Sequence, residues 1–475
     1  MAAFAAETEA SLSMPEASAG ATGRSTRSVA LLAGSTSVLV GAALLGALLA
    51  FLEKVPCRSG AWNSYAKQFQ DACYTDIYPL YYNEGLSAGK VPYTGHHVEY
   101  PVLIGGVMQA AAWLVHPIAD PYTRGRGFFD ITVVLLVICA VAGVVATAYA
   151  AGPSRRWAAL LVALSPALVL SAFVNWDLIA MALAALALAA WAGRRNVVAG
   201  VLAGLAVATK FYPLVFFGPL LLLCLRAGRM RAFWVTFGSA AAAWLVVNVP
   251  VMIVAPSGWA TFYQFSRTRP ADWGSIWYLF EHFGVPVLGA SGISALNLLS
   301  AAGLAVGCVA IAVLALAAPR RPRLAQLCFL VLAVFLMTNK VWSPQYVIWL
   351  VPFAVLARPR FWPYVLWQLA EVGYFFAIWG YLISVSRNGA VIPGYNGIST
   401  GWYFAALLVR LLTLALLCGY VVHDILRPDS DVVRRDGEDD PAGGVLVDAP
   451  DRFVLRLRRD APATAPAVSS RPGAL

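Results

Sequence analysis

The chain has 475 residues, of which 60% are hydrophobic and 12% are charged, and its formal net charge is +10. Soluble globular proteins carry about twice this charged fraction, so the composition excludes an ordinary soluble protein and indicates an all-α polytopic membrane protein. The basic residues are divided among short hinges instead of forming one stripe, so we expect no nucleic-acid partner.

The hydropathy pattern divides the chain into three regions. Residues 1–27, rich in Ala, Ser, Thr and Glu, predict a disordered cytoplasmic tail. Residues 28–423 predict a transmembrane domain of about twelve helices. Residues 424–475, rich in Pro, Gly and charges of both signs, predict a second, largely disordered cytoplasmic tail. The twelve apolar runs lie at 28–52, 128–151, 157–174, 176–192, 197–210, 212–226, 232–254, 290–318, 324–338, 345–357, 361–383 and 402–423.

Charges within residues 28–423 fall into two sets of connections. Five short hinges carry twelve arginines and no carboxylate, whereas the other connections carry ten of the eleven acids. Short loops rich in Lys and Arg stay in the cytoplasm, so we expect both termini to be cytoplasmic and the acidic loops to face outward from the plasma membrane. The hinge arginines are Arg155, Arg156, Arg194, Arg195, Arg226, Arg229, Arg231, Arg320, Arg321, Arg323, Arg358 and Arg360.

The first outward loop, residues 54–127, predicts more than a simple connection. Its stretch 101–119 is apolar enough to span, but a span here would turn every hinge arginine outward, so we expect an interfacial helix. Cys57 and Cys73 share this loop, and an oxidising compartment favours a disulfide between them. Two unpaired thiols stay the alternative, because counting cysteines does not establish their pairing.

The same loop contains two candidate catalytic residues. Asp76 lies among tyrosines, and Glu99 directly precedes Tyr100 and Pro101. A carboxylate held by aromatic and apolar neighbours at a membrane surface has a raised affinity for protons, which suits a general base. For either acid alone, the alternative is a solvated loop carboxylate.

Asn175, Trp176 and Asp177 lie at the outer junction of two apolar runs. Tryptophan packs against sugar faces, and the two polar side chains can hydrogen-bond hydroxyl groups, so these residues are candidates for sugar or acceptor binding. The alternative is a polar helix cap, since Asn and Asp favour that position.

Lys210 and Lys340 each end a short apolar run, beside aromatic residues and proline. A lysine there can clamp a phosphate as a point charge, or it can extend to the membrane interface. Arg267 and Arg269, in another outer loop, are further candidates for binding a donor phosphate. The strings around the two lysines add three candidates for sugar or acceptor binding, namely Tyr212, Gln345 and Tyr346.

Glu371 and Arg410 lie deep inside two apolar runs, where an unpaired charge is costly, so we expect them to pair. The sequence contains no nucleotide-binding loop and no spacing typical of metal ligands. We therefore expect no residue of this chain to bind a metal ion.

The chain resembles the membrane-embedded GT-C glycosyltransferases, and within them glycosyltransferase family 87. The resemblance spans about residues 30–423 and lies in the order of several outward strings. These are DIYPLYY, GLSAGKVPY and EYP in the first loop, then NWDLIAMALAALALAAWAGRR, GLAVATKFYPLVF and NKVWSPQY.

The resemblance implies an inverting transfer of a sugar from a polyprenyl-phosphate donor to a glycan or glycolipid acceptor of the cell envelope. Mannose is the first expected sugar and arabinofuranose the second. An acid of the first outward loop would be the base, and here it is Asp76. No cofactor is expected, although the dependence on a divalent metal stays open because no paired acidic motif adjoins Asp76. A lipid-linked-sugar transporter or flippase, and a noncatalytic scaffold for envelope assembly, are the alternatives.

Overall fold

The computed structural model describes residues 35–285, 292–385, 397–435 and 437–455, and within them the protein is all-α. The predicted disorder of residues 1–27 lies outside the described residues. In chain order, the helices are α1 (Thr36–Arg58), α2 (Tyr65–Gln70), α3 (Ile77–Asn83), α4 (Val102–Val115), α5 (Pro121–Ala150), α6 (Ala159–Ala163), α7 (Pro166–Ser171), α8 (Asp177–Ala192), α9 (Asn196–Thr209), α10 (Phe217–Ala227), α11 (Met230–Val254), α12 (Pro256–Thr268), α13 (Ile276–His282), α14 (Gly292–Ala317), α15 (Leu324–Thr338), α16 (Val347–Ala357), α17 (Phe361–Val385), α18 (Thr400–Leu426) and α19 (Val432–Arg435).

Six helices in the described part of the chain are long and apolar enough to cross a membrane, namely α1, α5, α11, α14, α17 and α18. Shorter apolar helices, among them α8, α9 and α15, occupy other predicted runs. The protein is therefore a multi-pass helical membrane protein. The total of twelve spans stays a prediction, because helices of 10–17 residues are short for a bilayer of about 30 Å.

The centre of the bundle is formed by α15 and α16. Every side chain of α16 is buried, and so are most of those on α15. A helix that is apolar on all sides lies inside a larger assembly of helices. Protein therefore surrounds these two short helices. Polar residues of the candidate site lie in the loop between the end of α15 and the start of α16.

Helices α9 and α11 pack closely because α9 presents glycine at their contact. An added Cβ at Gly200 would overlap the carbonyl oxygen of Thr236, and one at Gly204 would overlap that of Ala240. Two glycines four residues apart let helix backbones approach closely in membrane proteins. This contact fixes the position of Lys210, which directly follows α9.

Gly204→Ala is expected to lower the free energy of unfolding by about 1–3 kcal/mol, because the new methyl group must push two backbones apart. The measurement is the thermal unfolding midpoint of the purified protein in detergent. Gly238→Ala on α11 is the matched control, since an added Cβ there meets no atom within 4 Å. Equal midpoints for the two variants would contradict the close-packing argument.

The predicted span 157–174 is not one continuous helix. A 3₁₀ turn at Pro153–Ala158 leads into α6, and the chain breaks again before α7. Pro166 lacks the amide hydrogen that a continuous helix needs. The Ser165 hydroxyl accepts a hydrogen bond from the Leu168 amide and so caps α7 as a separate helix.

Part of the predicted disordered tail has defined structure, whereas residues 456–475 of that tail lie outside the described residues. Residues 424–435 and 437–455, called the C-terminal segment below, contain α19 and short 3₁₀ turns. Each of the five arginine hinges contacts this segment. The contacts are Arg155 with the Val432 carbonyl, Arg194 with Asp448, Arg226 and Arg321 with Asp451, Arg320 with Asp439, Arg323 with Asp431, Arg358 with Asp424 and Arg360 with the Ser430 carbonyl.

The pair of Arg323 and Asp431 is the most enclosed of these contacts. Both side chains are about 2% exposed or less, and the Arg323 Nε donates to Asp431 Oδ2 over 2.8 Å. The remaining Arg323 donors reach the carbonyls of Leu356 and Ala357 at the end of α16. In this pair the C-terminal segment supplies the carboxylate for an arginine that would otherwise be buried without an anion.

The predicted pair of Glu371 and Arg410 is confirmed. Arg410 Nε donates to Glu371 Oε2 over 2.8 Å, and both side chains are buried. Arg410 Nη1 also donates to the Trp342 carbonyl over 3.2 Å, and its guanidinium lies over the Trp342 ring. The pair therefore joins α17 and α18 to the loop that follows α15.

Candidate functional site

Asp76 precedes α3 in a segment held on both sides. Its amide donates to the Val174 carbonyl over 2.7 Å, and the neighbouring Thr75 hydroxyl donates to the Phe173 carbonyl over 2.7 Å. These bonds attach the first loop to the junction between α7 and α8. The Asp76 side chain does not cap α3 and stays available for other partners.

Two tyrosines donate to the Asp76 carboxylate. The Tyr74 hydroxyl lies 2.6 Å from Oδ1, and the Tyr100 hydroxyl lies 3.4 Å from Oδ2. Burial raises the pKa of Asp76 above its ordinary value, and the hydrogen bond from Tyr74 and the charge of Lys210 only partly offset this effect. The arrangement suits a carboxylate that accepts a proton from a bound hydroxyl group.

Asp177 and Lys210 form an ion pair beside Asp76. Lys210 Nζ lies 3.0 Å from Asp177 Oδ1, and Asp177 is fully buried. At this separation the Asp177 carboxylate balances the charge of the Lys210 ammonium. A charged lysine at this position acts on both carboxylates and has further N–H donors for a ligand.

Aromatic rings surround the Lys210 ammonium. It lies 4.9 Å from the centre of the Tyr100 ring and 5.7 Å from that of Tyr346. Trp349, one helical turn beyond Tyr346, stacks on it at 3.8 Å and on Tyr212 at 4.3 Å. The rings enclose the charge and supply flat apolar faces.

The three residues of the α7–α8 junction have different surroundings. The Asn175 Oδ1 accepts a hydrogen bond from the Asp177 amide over 2.9 Å, which closes a turn directly before α8. The cap position of α8 is Trp176, whose side chain makes no capping hydrogen bond. Trp176 is buried, and its ring meets Tyr100 edge-on at 5.3 Å. Asp177 alone directs its charge into the site.

Glu99 lies at the edge of this cluster, with an exposed side chain. Burial of part of the carboxyl raises the pKa of Glu99, Arg269 lowers it, and Asp76 raises it further. Since Asp76 is enclosed by donors and Glu99 is not, the geometry distinguishes the two acids. Asp76 is therefore better placed than Glu99 to accept a proton.

Lys340 and the two loop arginines form a second cationic group. Lys340 Nζ donates to the carbonyls of Arg267 and Arg269, over 3.0 and 2.8 Å. The Arg267 side chain is exposed, whereas Arg269 is partly buried and lies 3.7 Å from Asp272. Lys340 therefore orders the loop that presents Arg269, and two of its three donors are already used.

Gln345 and Tyr346 are positioned by the loop that Arg410 binds. They lie in a 3₁₀ turn, Pro344–Tyr346, directly before α16. Gln345 is buried, while Tyr346 is partly exposed next to Lys210. The Glu371–Arg410 pair thus supports the site from below without entering it.

The predicted partners Cys57 and Cys73 are joined in a disulfide, with 5.6 Å between their Cα atoms. This bond attaches the end of α1 to the residue three positions before Asp76. In addition, Lys54 of α1 donates to the Tyr74 carbonyl over 2.8 Å.

Sequence reasoning missed Tyr74, Tyr100 and Trp349 as parts of the site. Tyr74 lies two positions before Asp76 in the sequence, and this spacing alone does not predict a hydrogen bond between the two side chains. Trp349 could have been found, because residues three apart lie on the same face of a helix and Tyr346 was already a candidate.

Among the described residues, no group of three or more His, Cys, Asp or Glu side chains is arranged to hold a metal ion. Asp76 and Asp177 are close enough for their charges to interact, and the Lys210 ammonium lies beside them. A lysine side chain therefore supplies positive charge between the two carboxylates.

Comparison with known proteins connects this geometry to a family. The model of glycosyltransferase family 87 matches residues 109–344, about half of the chain. Asp177, Lys210 and Lys340 lie within the matched residues, and Asp76 precedes them. No curated protein matches the chain.

Proposed function

This chain belongs to glycosyltransferase family 87, and from that premise we propose that it transfers a sugar from a polyprenyl-phosphate donor to a cell-envelope acceptor. Mannose is the first candidate for the transferred sugar. The acceptor is a glycan or a glycolipid, and the reaction takes place at the outer face of the plasma membrane with inversion at the anomeric carbon. Both termini then lie in the cytoplasm, on the side of the arginine hinges.

In this reaction, Asp76 accepts the proton of the acceptor hydroxyl. The hydroxyl oxygen forms a bond to the anomeric carbon while the bond between that carbon and the phosphate oxygen breaks. The polyprenyl phosphate leaves with the bonding electron pair and gains negative charge. Lys210 and Arg269 stabilise that charge, and Lys340 holds the loop that presents Arg269. The donor's phosphoester supplies the activation, so no nucleotide is consumed.

One observation above the others supports this proposal. Asp76 is a buried carboxylate held by two tyrosines, and the ring of one of them, Tyr100, lies 4.9 Å from the Lys210 ammonium among further aromatic rings. A proton acceptor, a cation and apolar walls are what a sugar transfer from a phosphate requires.

The testing experiment is transfer of radiolabelled mannose from synthetic mannosyl-phosphoryl-polyprenol by the purified protein, with membrane lipid extract as the acceptor. We expect a labelled, lipid-extractable product and release of polyprenyl phosphate. The arabinofuranosyl donor is the parallel arm, and activity with it alone would change the sugar but keep the reaction. Absence of product with both donors would overturn the proposal.

As the pH is lowered, the protein is expected to lose transfer activity at a higher pH than an enzyme with an ordinary aspartate base would. The base acts when it is ionised, and burial raises the pKa of Asp76 above 3.8, so kcat/KM falls as the pH drops through that raised value. The measurement is the pH dependence of kcat/KM for the donor, with unfolding followed at the same pH values. A fall that coincides with unfolding would contradict this assignment.

A further inference from the structure

The segment that contains the base, residues 73–77, is anchored to two parts of the bundle. Toward the α7–α8 junction, it is held by the bonds of Thr75 and Asp76 described above. Toward α1, it is held by the disulfide of Cys73 and by the Lys54 ammonium, which donates to the Tyr74 carbonyl over 2.8 Å. The backbone of Tyr74 is thus fixed immediately before the base.

The Tyr74 side chain is fixed as well. Its ring lies 4.9 Å from that of Trp379 on α17 and 5.5 Å from that of Phe69 on α2. The ring directs its hydroxyl at Asp76 Oδ1 with a separation of 2.6 Å, a distance typical of a hydrogen bond to an ionised acceptor. A phenol held in this way restricts the rotation of the carboxylate.

Lys54 is an unusual residue for this position. Its side chain is 1% exposed, so it does not extend to solvent as a lysine at a helix end commonly does. Glu53 Oε2 lies 2.9 Å from its ammonium and balances its charge. A buried ion pair contributes little net stability compared with apolar residues, so stability alone does not account for it.

We propose that Tyr74 and Lys54 are positioning residues for the base: the Lys54 ammonium fixes the Tyr74 backbone, and the Tyr74 hydroxyl orients the Asp76 carboxylate. The inference rests on the proposed function, in which Asp76 accepts the acceptor proton. The chain of contacts runs from Glu53 through Lys54 and Tyr74 to Asp76. It links the end of the first membrane helix to the reacting oxygen.

The charges around Asp76 determine the direction of the expected effects. Tyr74, Tyr100, Lys210 and Lys54 favour the ionised carboxylate, whereas Asp177 and Glu99 oppose it. Among these favourable contacts, the Tyr74 hydrogen bond lowers the pKa of Asp76 the most. Its removal raises the pKa of Asp76, so the acidic limb of the activity profile moves to higher pH.

The first test is Tyr74→Phe, which keeps the ring packing and removes the hydroxyl. We expect the acidic limb of kcat/KM to move up by about one pH unit. The plateau above it should fall because the carboxylate loses its orientation. Tyr78→Phe is the matched control: Tyr78 lies two residues beyond Asp76 on α3, where its ring stacks on Trp62.

The second test separates the hydrogen bond of Lys54 from its charge. Lys54→Met removes both, and we expect kcat to fall about tenfold while the donor KM changes little, as for a contact that matters in the transition state. Lys54→Gln keeps an N–H donor for the Tyr74 carbonyl, and we expect it to recover most of this loss. If the methionine variant does not fold, the glutamine variant and its pH limb continue the test.

The outcomes separate this inference from the proposed function. Absence of transfer by the wild-type protein with either sugar donor overturns the proposed function. An active wild-type protein whose acidic limb stays in place in Tyr74→Phe shows that the hydroxyl does not hold the base, and the inference fails. Equal kcat values for Lys54→Met, Lys54→Gln and wild type would remove Lys54 from the proposal.

Discussion

Asp76→Asn is expected to lower kcat for sugar transfer by about 100- to 10,000-fold, which is the usual contribution of a general base. Asparagine keeps the shape of the side chain and can still accept a hydrogen bond from Tyr74, but it cannot accept the acceptor proton. Binding of the donor should change little, because its phosphate contacts are made by other residues.

This prediction is measured with the purified variant in the radiolabel assay, together with direct binding of the polyprenyl-phosphate sugar. Glu99→Gln is the matched control, since its carboxylate is exposed at the edge of the same cluster. We expect that variant to retain most of its turnover. The reverse result, with activity kept in Asp76→Asn and lost in Glu99→Gln, would assign the base to Glu99.

The same pair of variants separates an enzyme from the two alternatives. A transporter or flippase of a lipid-linked sugar would move its cargo without releasing polyprenyl phosphate, and a scaffold would do neither. Transporters also place polar groups and broken helices near mid-membrane. Here the buried charges at that depth, Glu371 and Arg410, satisfy each other. Product release that depends on Asp76 would exclude both alternatives.

The candidate residues of the site could be predicted from the sequence, but their contacts could not. Asp76, Asp177 and Lys210 were chosen separately because each lies in a polar string between apolar runs. Their meeting depends on how the helices pack, for example on the glycine contact that positions α9 before Lys210. Local sequence contains no record of that packing.

Lys54 and Lys340 illustrate a second limit of the sequence. Both are lysines at helix ends, where extension toward water or a phosphate is the ordinary expectation. In the structure, both ammonium groups instead bind backbone carbonyls, and both side chains are buried. Their role is to hold loops that contain other site residues, which depends on carbonyl positions that no residue type reveals.

The C-terminal segment was predicted to be disordered for a different reason. Its high content of charged residues, Pro and Gly is typical of chains that cannot bury enough apolar surface to fold alone. In the structure, the C-terminal segment packs on the helical bundle of the same chain, at the surface formed by the arginine hinges. The hinge arginines were interpreted as signals for orientation in the membrane, and their additional role as binding sites for Asp424, Asp431 and Asp451 depends on the finished bundle.

Asp431→Ala is expected to lower the free energy of unfolding by about 3–5 kcal/mol, because it leaves the buried Arg323 guanidinium without its anion. Arg323 joins the start of α15 to the end of α16, so the loss affects the two central helices of the bundle. The measurement is the thermal unfolding midpoint in detergent. Asp448→Ala is the matched control: its partner Arg194 is also a hinge arginine, but that pair is exposed, and such pairs contribute about 0–1 kcal/mol.

Two further measurements distinguish a stabilising pair from a catalytic one. Asp431 lies at the Arg323 end of α15, whereas Lys340 follows the opposite end, about 22 Å away along 15 residues. Transfer at a temperature well below unfolding should therefore stay near the wild-type rate in Asp431→Ala. The double variant Arg323→Met with Asp431→Leu should recover much of the lost stability, since removing both charges of a buried pair is often neutral. If the double variant were as unstable as Asp431→Ala, the cost would arise from lost packing of the C-terminal segment and not from an unpaired charge.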